Sequence, residues 1–140
     1  MKRFLALGLI LLVFVAACGK KEVKRVSSDS ALTTEAFTVA EKIREAYLKN
    51  DLAALEKFST REGYRSVINA KKSFDSAELV FTPMLVEIYG DTVHLYISWN
   101  GNWKKGGNVT EDRGLAVFVL KEKPLKLDEI LRANPFSKPD

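Results

Sequence analysis

Any chemistry in this chain has to come from few side chains: one cysteine, Cys18, one histidine, His94, and a scatter of tyrosines and carboxylates. Cys18 has no second cysteine to pair with and no neighbouring base to make it a nucleophile. It closes the apolar stretch LLVFVAAC and precedes GKKEVKR, so its setting is that of a processing site rather than a catalytic one. His94 is the only imidazole, the side-chain type best suited to proton transfer near neutral pH. A lone imidazole, without cysteines or a close carboxylate cluster, lacks the ligands for zinc or iron, and no metal or cofactor is expected. Five aromatic residues, Tyr47, Phe58, Tyr64, Trp99 and Trp103, are the candidates for lining a small apolar pocket. Trp103, between Asn102 and Lys104, reads as the exposed member of the tryptophan pair. If the pocket is catalytic instead, Tyr47, Tyr64, His94 and Glu87 are the groups able to move a proton.

The elements that position these residues follow from hydrophobic periodicity. TTEAFTVAEKIREAYLKND places Ala36, Ala40, Ile43 and Tyr47 on one stripe, which predicts an amphipathic helix with Thr33 or Thr34 as its N-cap. Asp51 is placed to cap a short second helix, Leu52 to Phe58, expected to bury Leu52, Leu55 and Phe58. REGYRSVINAKKSF repeats the pattern, with Tyr64, Val67, Ile68 and Lys71 on one face. The period then changes to two. Glu78 to Tyr89 predicts a strand with an edge or bulge at Pro83, and Gly90-Asp91 a tight turn. TVHLYISW alternates Val93, Leu95, Ile97 and Trp99 with Thr92, His94, Tyr96 and Ser98. NGNWKKGGNVTED reads as a polar loop, with Lys104 to Gly107 as a solvated tip. GLAVFVLKEK and LKLDEILRA supply the last two strands. Helices followed by an antiparallel meander make an α+β domain. His94 falls on the side of its strand away from the apolar face, hence on the outside of the sheet.

The beginning of the chain divides into a positive start (Lys2, Arg3), an apolar core (Phe4 to Val15) and small residues before Cys18. The apolar run is too short to span a bilayer, which takes about 20 residues, and matches a secretory signal. Val15-Ala16-Ala17-Cys18 resembles the lipobox of bacterial lipoproteins, although the first position is more often leucine in that family. The resemblance implies cleavage before Cys18, lipidation of its thiol, and a membrane anchor. Gly19 stands where an inner-membrane retention signal has aspartate, so the resemblance implies the outer membrane if the cell has one, and otherwise the cell membrane. The expected organisation is residues 1–17 as signal, 18–30 as lipidated cysteine and basic tether, and 31–140 as one domain.

The formal net charge of +4 is concentrated near the anchor. Lys2, Arg3, Lys20, Lys21, Lys24 and Arg25 precede Ala31, against only Glu22 and Asp29, which leaves the domain electrically balanced. Nucleic acid is therefore not an expected partner. The tether charges suit either anionic headgroups, at about 1 kcal/mol each, or plain solvation.

AYLKNDLAALEKF (Ala46 to Phe58) and GLAVFVLKEKPLKLDEILRANPF (Gly114 to Phe136) resemble the nuclear-transport-factor-2-like domains. That resemblance implies a cystatin-like cone in which the N-terminal helices pack into the concavity of a curved, mainly antiparallel sheet. Related cones include ketosteroid isomerases, cyclases and dehydratases. The isomerase tyrosine corresponds to Ile43 here, and the region of its general base offers only Glu62, so neither role carries over. The segment Gly114 to Leu120 is apolar on both faces, Leu115-Val117-Val119 and Ala116-Phe118-Leu120. One face fills the cone, and the other asks for cover, which a homodimer through the convex sheet would supply. Three readings stay open: a non-catalytic cone binding a small apolar ligand or a partner protein, a small lipophilic-substrate enzyme, and a structural dimerisation module.

Overall fold

The computed structural model describes residues 28–137; the lipobox, Cys18 and the tether as far as residue 27 lie outside the described residues. The last three residues assigned to the tether, 28–30, belong to the first helix. Three helices, α1 (Ser28–Lys49), α2 (Leu52–Lys57) and α3 (Arg61–Ala70), come first. Four strands follow, β1 (Ser76–Tyr89), β2 (Thr92–Lys105), β3 (Asn108–Lys121) and β4 (Lys126–Arg132). They pair antiparallel in chain order, β1-β2-β3-β4, so the expected α+β meander is what forms.

The stripe on α1 behaves as its spacing requires: Ala36, Val39, Ala40, Ile43, Ala46 and Tyr47 are all buried. Its start differs from the expected cap at Thr33 or Thr34. The helix begins at Ser28, and the Thr34 hydroxyl donates back to the Ser30 carbonyl (3.0 Å). A hydroxyl bonded to the preceding turn supports a helix interior rather than opening one. Asn50, at φ 55°, ends α1, and Asp51 then caps α2 by accepting from Ala54 N (3.0 Å). In α2 only Leu55 is fully buried; Leu52, expected inside, is 46% exposed, because six residues give this helix a single inward position. Thr60 caps α3 through Gly63 N (3.2 Å). That helix stops at Ala70, so Lys71 to Phe74 leave it rather than extend it.

A bulge between Pro83 and Leu85 interrupts β1, where proline removes a ladder donor. Gly90 and Asp91 form the β1–β2 turn. The presumed polar loop at Asn100–Asp112 is instead a continuation of the β2–β3 hairpin, turning at Gly106 and Gly107, both at positive φ. Its polar residues occupy the outer positions, while Gly101 and Trp103 face inward. Alternation here hides behind a glycine that occupies an inner site.

α1 lies in the hollow of the sheet against Leu79, Val93, Leu95, Ile97, Phe118 and Leu120. The segment before α3 docks on β4 through a parallel bridge, Ser59 to Leu127, flanked by Leu127 N to Phe58 O (2.9 Å) and Thr60 N to Leu127 O (2.8 Å). Arg44 reaches from α1 to the open edge of β1, donating to Leu79 O (3.0 Å) while Glu41 holds its guanidinium at 2.7 Å. One edge carbonyl is thereby satisfied from within the chain.

Candidate functional site

Inside the cone the candidate pocket residues Tyr47, Trp99 and Trp103 do meet, but they meet each other. Trp103 is fully buried, which corrects its expected place on an exposed rim. Its Nε1 donates to Tyr47 Oη at 2.9 Å, and its ring stands edge-on to Trp99 with centroids 6.5 Å apart. Trp99 Nε1 donates to Ala133 O at 3.0 Å. Tyr47 packs on Phe136 and Phe74 (5.0 and 5.4 Å), and Phe136 in turn on Phe81 and Phe118 (6.0 Å each). These rings fill the hollow from helix to sheet. Gly101 makes room for the filling, since a Cβ there would lie 2.2 Å from the Trp103 ring. Burial pushes the Tyr47 phenol pKa up, with the Trp103 hydrogen bond partly opposing it. A phenol held this way stays protonated and is not a base.

The remaining sequence candidates scatter. Phe58 and Tyr64 are half-buried around α2 and α3, packed against the edge of the core rather than inside the hollow. Ile43, at the isomerase tyrosine position, is fully buried, and Glu62 sits in the first turn of α3, paired with Arg65 at 3.2 Å. His94 lies on the outer face as its alternation predicts. Its ring meets Tyr89 edge-on at 5.0 Å, and it pairs across the ladder with Glu87. The Glu87 carboxylate accepts from Tyr96 Oη at 2.7 Å. That bond, with a second from Tyr89, holds the carboxyl below its usual range, and both phenols are pushed up in return. Glu87 and Tyr96 are thus a carboxylate and a phenol joined by a hydrogen bond in which the phenol keeps its proton. They lie on an open sheet surface, without the enclosure that strengthens acid–base chemistry.

The outer face has its own pattern. Val117 and Val119 are buried there, flanked across the ladder by Tyr96 and His94 on β2 and by Leu131 and Glu129 on β4. Around them Leu85 (52%), Leu115 (46%) and Leu131 (38%) stay exposed, with Val80 and Met84 beyond. A groove of about 600 Å³ at the hairpin end is lined by polar and charged residues, Glu78, Asn100, Asn102, Glu111, Asp112 and Arg113 among them. It contains none of the five pocket candidates.

Sequence reading missed one arrangement at the mouth of the cone. Lys71 extends its ammonium over the Tyr47 and Phe74 rings, 5.8 Å from each centroid, and donates to Asn50 Oδ1. The only sequence signal was the run KKSF after α3, which helical spacing assigned to the helix itself.

No family model matches the chain, and no curated protein matches it. Among solved structures, a nuclear transport factor 2 (NTF2-like) superfamily protein from Salmonella enterica serovar Typhimurium LT2 superposes with a TM-score of 0.63 at 12% identity, over 77% of this chain and 94% of that one. A chain described as "Rd1NTF2_04 with long sheet" aligns at TM-score 0.46 and 16% identity, over 68% of this chain and 96% of that one. The helices, the curved antiparallel meander and the Salmonella match together make this an α+β protein of nuclear-transport-factor-2-like fold.

Proposed function

We propose that the chain is a lipid-anchored envelope protein whose cone is a non-catalytic interaction module, docking a second copy of itself through the convex sheet face. The observation that carries this reading is the division of apolar surface. The hollow is filled by its own aromatic rings, whereas Leu85, Leu115 and Leu131 are left exposed around Val117 and Val119 on the outside. A ligand entering the cone would have to displace rings already paired with one another, at a cost no small molecule easily offsets. Three 14-residue strands, about 4.8 Å apart and rising about 3.3 Å per residue, offer a face on the order of 700 Å². A stable interface buries about 800 Å² per partner, so β4 and the rims complete the required size. The membrane half of the proposal rests on the likeness of Val15–Cys18 to a lipobox.

Native mass spectrometry of the chain from Ser28 onward, without added ligand, tests the docking half. An empty dimer supports it, and Leu115→Lys with Leu131→Lys should return the monomer without loss of fold. A persistent monomer overturns it, and a mass increment from a retained small molecule returns weight to ligand binding in the cone. For the anchor, Cys18→Ser should leave unprocessed precursor; normal maturation of that variant ends the lipoprotein reading.

A further inference from the structure

We infer that the cone mouth around Lys71 is a binding site for a small organic carboxylate with a flat apolar body. This site is independent of the convex face and of the dimer proposed above. It is built where three segments converge: the left-handed Asn50 after α1, the Lys71–Phe74 exit from α3, and the β2–β3 turn. The first two line an open hollow of about 370 Å³, bounded by Asn50, Lys71, Lys72, Ser73 and Phe74, and the turn holds their far end through Lys105 Nζ to Ser73 Oγ (2.6 Å). That volume suits a single ring bearing a carboxylate rather than a long chain.

The polar groups are arranged for an anion. Lys71 has three ammonium protons, and Asn50 Oδ1, a neutral acceptor, takes one of them; among the described residues no carboxylate stands within ion-pair distance of the ammonium. With its oxygen engaged by Lys71, the Asn50 side chain presents its amide NH₂ as a further donor. The Ser73 hydroxyl accepts from Lys105 Nζ at 2.6 Å, which leaves its own proton to donate. The carboxylates nearest in sequence are engaged elsewhere: Asp51 Oδ1 accepts from Ala54 N (3.0 Å) and Asp75 Oδ2 from Gly106 N (2.8 Å). Neither forms an ion pair with Lys71. Partial burial pulls the Lys71 ammonium pKa below its ordinary value.

The apolar half of the site is the Phe74 ring, backed by Tyr47 and the aromatic core behind it. A flat ligand laid on Phe74 would place its carboxylate between Lys71 and the Ser73 hydroxyl. Lysine serves such a site as a compact point charge whose stem lies along the rings.

The test is ligand-observed fluorine NMR with 4-fluorobenzoate on the full chain in detergent micelles. Lys71→Met in the same micelles provides the baseline, since it keeps an apolar stem over the rings and removes the charge. We expect saturable broadening of the fluorine signal, reversed by benzoate at concentrations at least about tenfold below those of acetate, a difference on the order of 1.4 kcal/mol. Lys71→Met should abolish it and Lys71→Arg should retain it, while both variants keep the parent's thermal midpoint within a few degrees. Equal competition by acetate and benzoate overturns the apolar half of the site. Unchanged broadening in Lys71→Met overturns the assignment to Lys71, and no saturable broadening in the parent overturns the whole.

Discussion

At the scale of the residue, the tightest test of the core is the hydrogen bond between Trp103 and Tyr47. Tyr47→Phe keeps the ring contacts with Phe74 and Phe136 but strands the buried Trp103 N–H. A stranded buried donor costs about 1–3 kcal/mol, which should appear as a lower urea midpoint with an unchanged slope. The Asp128–Lys121 pair gives a test of opposite character. Lys121, at 2.7 Å, holds the Asp128 carboxyl below its ordinary value, with burial opposing and the Thr60 hydroxyl adding to the effect. A carboxyl lowered in the folded state contributes stability above its unfolded value, and loses it as pH falls through the folded one. Lys121 is raised, chiefly by Asp128, so its share is complete below about 10.5 and disappears as pH rises through the folded value. Lys71 has the reverse sign: its lowered pKa costs stability while the amine is charged, and that cost is relieved as alkaline pH removes the proton. Urea midpoints of Asp128→Asn should therefore fall less steeply than the parent's between neutrality and about pH 3. An identical acid limb in both proteins would remove this pair from the account. Of the residues considered for chemistry, the outward direction of His94 was readable from alternation alone. The hydrogen bond from Tyr96 to Glu87 was not, because it depends on a diagonal across two strands whose register no single-sequence pattern states.

At the scale of the element, two glycines decide how closely layers approach. Gly63 sets α3 directly on β4: a Cβ there would lie 1.9 Å from Leu127 O, a backbone atom with no rotamer to yield. Gly63→Ala should therefore cost about 1–3 kcal/mol or more despite alanine's better helix propensity, and a raised thermal midpoint would show that the layers are looser than described. Gly101 explains why the β2–β3 hairpin was read as a loop. An inner position occupied by glycine breaks the apolar alternation, and the asparagines and lysines beside it then look like a solvated connection. The same glycine lets the Trp103 indole fold back over the strand, so the exposed reading of Trp103 and the loop reading share one cause. Elements with an unbroken period, the stripe of α1 and the inner face Val93–Trp99, were legible without the structure.

At the scale of the whole molecule, the balance between inside and outside governs what the protein can do. The dimer proposed above rests on a filled hollow and a partly apolar convex sheet. The expected signature is a dimer whose dissociation by Leu131→Lys leaves the thermal midpoint of the isolated domain nearly unchanged, because Leu131 is already 38% exposed there. A variant that unfolds as it dissociates would place Leu131 in the fold's own core instead. Fold class and element order were visible in composition and period. The contents of the hollow were not, because they depend on Phe136, which lies outside every periodic segment, and on Phe74, which helical spacing assigned to a continuation of α3 that does not form.

That closure has a kinetic side. Glu35 on α1 accepts from the backbone N–H of Leu125, a contact 90 residues apart in sequence, and Phe136 packs against Tyr47 across a similar span. Such pairings close late, after most of the loop entropy has been surrendered. If the chain is exported as proposed above, amino end first, the apolar stripe of α1 can pair with β1 and β2 as they appear. It lacks its closure by Phe136 and the Glu35–Leu125 bond until the last segment emerges. During that interval the stripe is a natural target for holding chaperones, and the speed of export, as much as final stability, would set the yield of folded protein.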